Sequence, residues 1–211
     1  MKIEKLLPPP APGRAWMVQL EDGTLLRLNE GVVADFALYQ GKELDEQTLE
    51  SLRSAAFLGS LREKTVSMLT SRLLSAGQVK EKLLAKGATE EQAQEIIDWA
   101  ENIGLINDEE YAKALVRHYQ TKGYGIYQIK DELYRRRVPR DLWDRALEEL
   151  TGPEQAIDTF LAAKLRDPFD PKQVKKASDA LLRRGFSWSQ AAEGIERARN
   201  RRQDETDWEV D

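Results

Sequence analysis

From about residue 60 onward the apolar positions of the chain fall three or four apart, in blocks that recur. Thr65, Met68, Leu69, Arg72 and Leu73 match Tyr111, Ala114, Leu115, His118 and Tyr119. These match Ile157, Phe160, Leu161, Lys164 and Leu165 in turn, at an offset of 46 residues both times. A second set aligns Val79 and Leu83 with Ile129 and Leu133, then with Ala177 and Leu181, at offsets of 50 and 48. A third aligns Ala93, Ile97 and Ala100 with Trp143, Leu147 and Leu150, then with Ala191, Ile195 and Ala198, at the same two offsets. Apolar spacing of three or four gives a helix one buried face, and self-similarity at this period marks a repeat protein. The pattern predicts three tandem units of three helices each.

The change of offset places extra residues between the first and second helices. That stretch carries Gly123 and Gly125 in the middle unit and Pro168 and Pro171 in the third, where loop chemistry is expected. Thr89 with Gln92, and Ser187 with Gln190, have capping-box spacing at equivalent third-helix starts. Pro139 fills the same slot in the middle unit, where a missing N–H costs little. Gly87 and Gly185 end their second helices with a residue that accepts left-handed backbone.

Upstream the period changes to two. Trp16, Val18 and Leu20 alternate with Met17 and Gln19, Asp22-Gly23 supplies a turn, and residues 24–28 return, which predicts a hairpin. Residues 30–39 read as a short helix stopped by Gly41. Asp45 reads as the N-cap of an apolar-periodic stretch through Leu49, Leu52, Ala56 and Leu61, as one helix or as two broken near Gly59. The expected fold is mainly α, an elongated curved rod of three three-helix repeats with a small N-terminal β-hairpin. Its segments are an extension at 1–57, repeats at 58–105, 106–151 and 152–202, and an acidic disordered tail at 203–211 that either keeps the protein soluble or competes with DNA for the basic residues before it.

Composition narrows the class. With 41% hydrophobic and 33% charged residues the chain is foldable but wet, and without cysteine it has no disulfide or thiolate metal site. Lys2 and Lys5 accompany only Ile3, Leu6 and Leu7, too short a run for a signal peptide. No apolar stretch reaches ~18 residues, so a cytoplasmic protein without membrane association is expected. The net charge of −5 hides a partition. Residues 1–110 hold 12 Lys+Arg against 19 Asp+Glu, residues 111–202 hold 20 against 13, and the last nine hold five acids and no base. A basic body points to a polyanionic partner.

Candidate binding residues concentrate in that body. Arg135, Arg136, Arg137 and Arg140 cluster at the junction between the second and third helices of the middle unit, and Lys122 and Lys130 flank its loop. Tyr124 and Tyr127 are interleaved with them, to stack on bases or to pack the loop onto its own unit. The third unit adds Lys172, Lys175 and Lys176, then Arg183 and Arg184, which repeat Arg135 and Arg136; Arg197, Arg199, Arg201 and Arg202 extend the basic end. Trp143 takes a core position. His118, whose repeat partners are Arg72 and Lys164, reads as surface. Nothing resembles a nucleophilic or phosphate-cradling motif, and adjacent acids such as Glu90-Glu91, Glu109-Glu110 and Glu148-Glu149 diverge around their helices. No enzyme, cofactor or metal site is expected.

The run Leu105-Ile106-Asn107-Asp108-Glu109-Glu110-Tyr111-Ala112, the Gly-containing loop and Ile-x-x-x-Leu within residues 123–133, and the N-terminal hairpin followed by Leu38-Tyr39-Gln40-Gly41 and Leu44-Asp45 resemble the RecX family over nearly the whole chain. Two positions depart from its pattern: Tyr127 stands where a basic residue is usual, and Arg137 where a glycine is, so that this helix end is either strained at a left-handed cap or closed differently. The resemblance implies tandem three-helix repeats that lodge in the groove of RecA filaments on single-stranded DNA. It also implies damping of RecA's recombinase, ATPase and co-protease activities, in DNA repair and the SOS response, by a monomer. Two rivals are a helix-turn-helix transcription factor and a protein-only helical adaptor. The first is weakened by the acidic start of one third helix, Thr89-Glu90-Glu91. Changing Arg135, Arg136 and Arg137 together to Ala is expected to weaken RecA inhibition and leave helicity intact.

Overall fold

A computed structural model describes residues 1–11 and 14–208. The chain forms two compact units, one of Met1–Leu73 with Val79–Leu105 and the other of Leu74–Gln78 with Ile106–Asp211.

The first unit opens with an antiparallel sheet of three strands, β1 (Ile3–Leu7), β2 (Trp16–Leu20) and β3 (Leu25–Leu28), in the order β1-β2-β3. The expected hairpin is β2–β3, in the register Trp16↔Leu28 and Val18↔Leu26. Its alternation buries Val18, Leu20, Leu26 and Leu28 on one face. Gly23 takes φ +84° at the turn and Asp22 accepts from the Thr24 N–H at 2.9 Å. The sheet is larger than the expected hairpin, because β1 pairs along the other edge of β2.

Helix α1 (Glu30–Asp35) is shorter than the sequence suggests. Ala37 turns left-handed at φ +42°, and the Leu38 N–H returns to the Val33 carbonyl at 2.9 Å, which buries Leu38. Helix α2 (Glu46–Ser71) starts where Asp45 accepts from the Thr48 N–H at 2.7 Å. It is one unbroken helix through Gly59, so its first half covers the sheet with Leu49 and Leu52 while its second half supplies Leu61 and Thr65 to the first repeat. The expected division at residue 57 therefore falls inside a helix. Leu73 follows the helix end and is 70% exposed, unlike its repeat partner Leu165, which is buried.

The first repeat is completed by α3 (Ala76–Leu84) and α4 (Glu90–Asn102). The middle repeat is α5 (Asp108–Thr121), α6 (Ile126–Arg135), a 3₁₀ turn (Arg140–Leu142) and α7 (Trp143–Leu147). The third is α8 (Glu154–Lys164), α9 (Pro171–Arg183) and α10 (Trp188–Trp208). Aligned positions share burial: Val79, Ile129 and Ala177 are buried, as are Leu83, Leu133 and Leu181. The middle and third repeats each have their own apolar core. Thr89 and Gln92 form the expected reciprocal capping box, and Ser187 and Gln190 form another. The middle third helix is only five residues long; Pro139 begins it as a 3₁₀ turn and Gly152-Pro153 lie soon after its end.

Helix α10 continues through Trp208, so positions 203–208, expected to be disordered, are helical; residues 209–211 lie outside the described residues. Among the described residues, no helix is long and apolar enough to cross a membrane.

Candidate nucleic-acid interface

The basic residues of the second unit divide by what their helices do with them. A residue in the last turn of α6 or α9 either leaves the surface or folds back under the next connection. Arg135 and its repeat partner Arg183 take the first course and are exposed. Arg135 pairs with Asp131 at 3.3 Å and Glu132 at 3.2 Å, yet its side chain is still largely in water. The Asp131 pair is exposed on both sides and contributes little to stability, while Glu132 is largely buried and Arg135 itself stays in water.

Arg136 and Arg184 take the second course. Arg136 donates to the Tyr111 hydroxyl at 3.0 Å and meets Glu132 at 3.5 Å. Burial by itself would lower the Arg136 pKa, but the hydroxyls of Tyr111 and Tyr119 outweigh it and hold the guanidinium above its ordinary value. Arg184 lies over Tyr124 at 5.7 Å and over Phe160 at 5.0 Å from the ring centres, and donates to the Gly123 carbonyl at 3.3 Å. Both expected contact residues are thus engaged within the chain, Arg136 through a hydrogen bond and an ion pair and Arg184 through cation–π contacts and a hydrogen bond. Arg137 adopts φ +57°, the left-handed state that Gly87 and Gly185 take at φ +89° and +87°. The middle helix thus ends as the others do, with strain at a residue that has a Cβ. Changing Arg135, Arg136 and Arg137 together would disturb packing as well as charge.

These arginines belong to two equivalent junctions. The Gly125 N–H donates to the Arg184 carbonyl at 2.8 Å and the Tyr127 N–H to the Gly185 carbonyl at 3.1 Å, so the start of α6 meets the end of α9. At the corresponding place the Ser75 hydroxyl donates to the Arg136 carbonyl, and the start of α3 meets the end of α6. Asp108 accepts from the Ala76 N–H at 2.8 Å in that second junction, and burial pushes its carboxyl pKa up.

The remaining expected residues separate the same way. Tyr124 packs against Tyr119 with centroids 5.5 Å apart, and Lys122 lies over the same Tyr119 ring at 5.8 Å, its side chain otherwise exposed. Lys122, Tyr124 and Arg184 line a groove whose floor includes Leu147, Phe160 and Phe186. Tyr127 is 62% exposed, Lys130 is half-buried, and Arg140 is exposed beside Trp143. Trp143 packs on the middle core and donates to the Val138 carbonyl at 3.1 Å. His118 is exposed, edge-on to Tyr119. Lys172, Lys175, Lys176 and Arg183 share one outward face of α9 with Asp179. In α10, by contrast, Arg197 and Arg201 both bind Asp158, at 2.9 Å each, and Arg199 donates to the Pro168 carbonyl at 3.0 Å. Two further large side chains on this unit are exposed, Tyr134 at 54% and Trp188 at 72%. The seven-residue spacing of Tyr127 and Tyr134, two helical turns, was the available signal for the first.

The architecture is that of a tandem three-helix repeat protein with a cationic outward face on its second unit. The family described as "RecX, second three-helix domain" matches residues 107–147. A regulatory protein RecX of Chlorobium limicola is 30% identical over 135 residues, covering 63% of this chain and 85% of that protein. One of Streptococcus sanguinis is 24% identical over 184 residues, covering 84% and 70%. A crystal structure of a regulatory protein RecX superposes with a TM-score of 0.74 at 24% identity, over 92% of this chain and 98% of that one. That of RecX from Lactobacillus salivarius does so at 0.61 and 23%, over 68% and 97%. The chain belongs to the RecX family of regulatory proteins.

Proposed function

We propose that this chain binds the RecA filament on single-stranded DNA and damps RecA's recombinase, ATPase and co-protease activities, with no reaction of its own. The observation that carries the reading is the recurrence of an outward base at one repeat position, Arg135 on α6 and Arg183 on α9, within an outward face rich in bases. A nucleoprotein filament offers phosphate and protein together, and cations on helical faces gain from counterion release along the phosphates. The contact set is Lys122, Tyr127, Lys130, Arg135, Arg140, Lys172, Lys175, Lys176 and Arg183; Arg136 and Arg184 act behind it as packing residues. The protein works as a monomer and needs no cofactor. The test is RecA ATPase on single-stranded DNA with the chain titrated in. Hydrolysis is expected to fall with added protein, and an unchanged rate at saturating protein sinks the reading. Replacing Arg135, Lys172, Lys176 and Arg183 together by Ala is expected to weaken the inhibition and flatten its salt dependence by about one unit of slope per lost phosphate contact.

A further inference from the structure

Between the middle and third repeats, inside the second unit, lies an open groove of about 960 Å³. It owes its existence to the short third helix of the middle repeat. Helix α7 stops after five residues, where α4 runs for 13 and α10 for 21. The chain then crosses to α8 through Gly152-Pro153 and leaves one face of α8 without a helix over it. Gln155, Ala156, Thr159, Phe160, Ala163 and Lys164 form that face, and it runs for about 14 Å.

The floor of the groove is apolar. Phe186 is buried, while Leu147, Leu150 and Phe160 are half-buried, packed inward on the middle and third cores and facing the groove on their other side. The charge along it has one sign: Arg117, Lys122, Lys164 and Arg184 line it and no acid does. Arg117 is taken by Glu149 at 2.6 Å. The other three have no carboxylate partner among the described residues. Arg184 is stacked on Tyr124 and Phe160, which fixes its plane, and only its Nη1 is used, on the Gly123 and Lys122 carbonyls. Lys164 stands one turn beyond Phe160 on the same face of α8. A guanidinium held flat on rings, with N–H groups unused, is ready to take a carboxylate in paired hydrogen bonds.

We propose that this groove docks an acidic peptide segment of a partner protein in extended form, with a carboxylate on Arg184 and Lys164 and apolar side chains on Leu147, Leu150 and Phe160. The inference goes beyond the reading above, which gives the groove no ligand. Charge complementarity selects an anion. The aliphatic floor at Leu147 and Leu150 selects protein over nucleic acid, which has no aliphatic side chains to bury there. The length of the α8 face takes about four residues of extended chain, and Gln155 on the wall offers its side-chain amide to their backbone.

The experiment uses the full chain without RecA or DNA, so its outcome stands apart from the ATPase test. Anisotropy of a fluorescein-labelled hexapeptide, Asp-Leu-Phe-Asp-Leu-Glu, is titrated with the parent, with Lys164→Glu, and with Thr159→Trp, which fills the groove from an exposed position. Parallel titrations use the peptide with its acids changed to Asn and Gln, and with its apolar residues changed to Ser. The parent is expected to bind the acidic peptide saturably, Lys164→Glu about tenfold more weakly, and Thr159→Trp more weakly still. Both altered peptides are expected to lose about tenfold or more on the parent. Unchanged circular-dichroism melting shows that the variants fold. Absence of saturable binding by the parent overturns the proposal. So does equal binding of the acidic and neutral peptides, or of the acidic peptide by parent and Thr159→Trp. N-acetylaspartate that competes as well as the unlabelled hexapeptide marks a small-anion site and overturns it. Oligothymidylate that displaces the peptide from the parent, and is no longer bound by Thr159→Trp, marks a nucleic-acid groove and overturns it too.

Discussion

The two junctions of the second unit do the same job with opposite residues. Where α6 meets α9, the close pair is Tyr127 and Gly185; where α3 meets α6, the equivalent pair is Gly77 and Arg137. A Cβ on Gly185 would overlap the backbone of Gln128, and a Cβ on Gly77 would overlap the Cβ and carbonyl of Arg137. Each junction therefore needs a glycine, but on opposite sides of the contact. The upper junction adds a second one, since a Cβ on Gly125 would overlap the Gly185 carbonyl. The lower junction has Ser75 there instead, and its hydroxyl replaces the backbone donor. The lesson is that close approach of backbone to backbone is what the repeat preserves, while the residue that permits it is free to change sides.

The comparison can be broken from beneath first. Leu133 is fully buried in the middle core, and its carbonyl holds Val138 at the helix end. Leu133→Ala is expected to cost about 3–5 kcal/mol by urea unfolding, loosening the end of α6 from below. Gly185→Ala is next, at about 3 kcal/mol, because it adds left-handed strain to the overlap with Gln128. Gly77→Ala is milder, about 2 kcal/mol, as Gly77 has ordinary backbone in a helix. Adding Arg137→Gly to it is expected to recover part of the loss, since the overlapping Cβ is gone. No recovery in the double mutant would mean that the swapped-glycine account is wrong.

A contact outside both junctions gives a smaller reference. Burial tends to raise Asp158, but Arg197 and Arg201 outweigh it and hold its carboxyl below the usual range. A depressed folded pKa contributes stability above the unfolded value of about 4 that is lost as pH falls through the folded one. Asp158→Asn is expected to cost about 1 kcal/mol at neutral pH. The deficit should close in thermal melts taken progressively below pH 4, and a constant deficit would refute the ion-pair account. The smallest effect has the opposite sign. Arg137→Gly alone should stabilise by about 0.5 kcal/mol, as relief of left-handed strain exceeds the extra entropy lost by glycine. A measured loss would show that the arginine side chain contributes more than its backbone costs.

Much of the fold was legible because its signals are local. The aligned apolar positions 79/129/177 and 83/133/181 are all buried, and the capping boxes at Thr89 and Ser187 form. The third strand was not legible, since β1 buries only Ile3 and its polar residues hide the alternation. It is a strand because β2 offers an edge. The candidate site was half legible. Sequence placed the bases at the helix ends but could not say that Arg135 and Arg183 leave the surface while Arg136 and Arg184 fold under it. Helical periodicity stops at the last turn, where that choice is made. Tyr124 and Tyr127, three residues apart, divide for the same reason: one is in the loop and packs on Tyr119, the other is on the outer arc of α6.

By itself the sequence determined the three helix triplets and the side of each helix that goes inward, since apolar spacing and capping act within a few residues. Only the tertiary structure decided which cations stay free and which glycine carries each junction. Those outcomes depend on backbones brought together across about 60 residues of chain, and no local pattern encodes that distance.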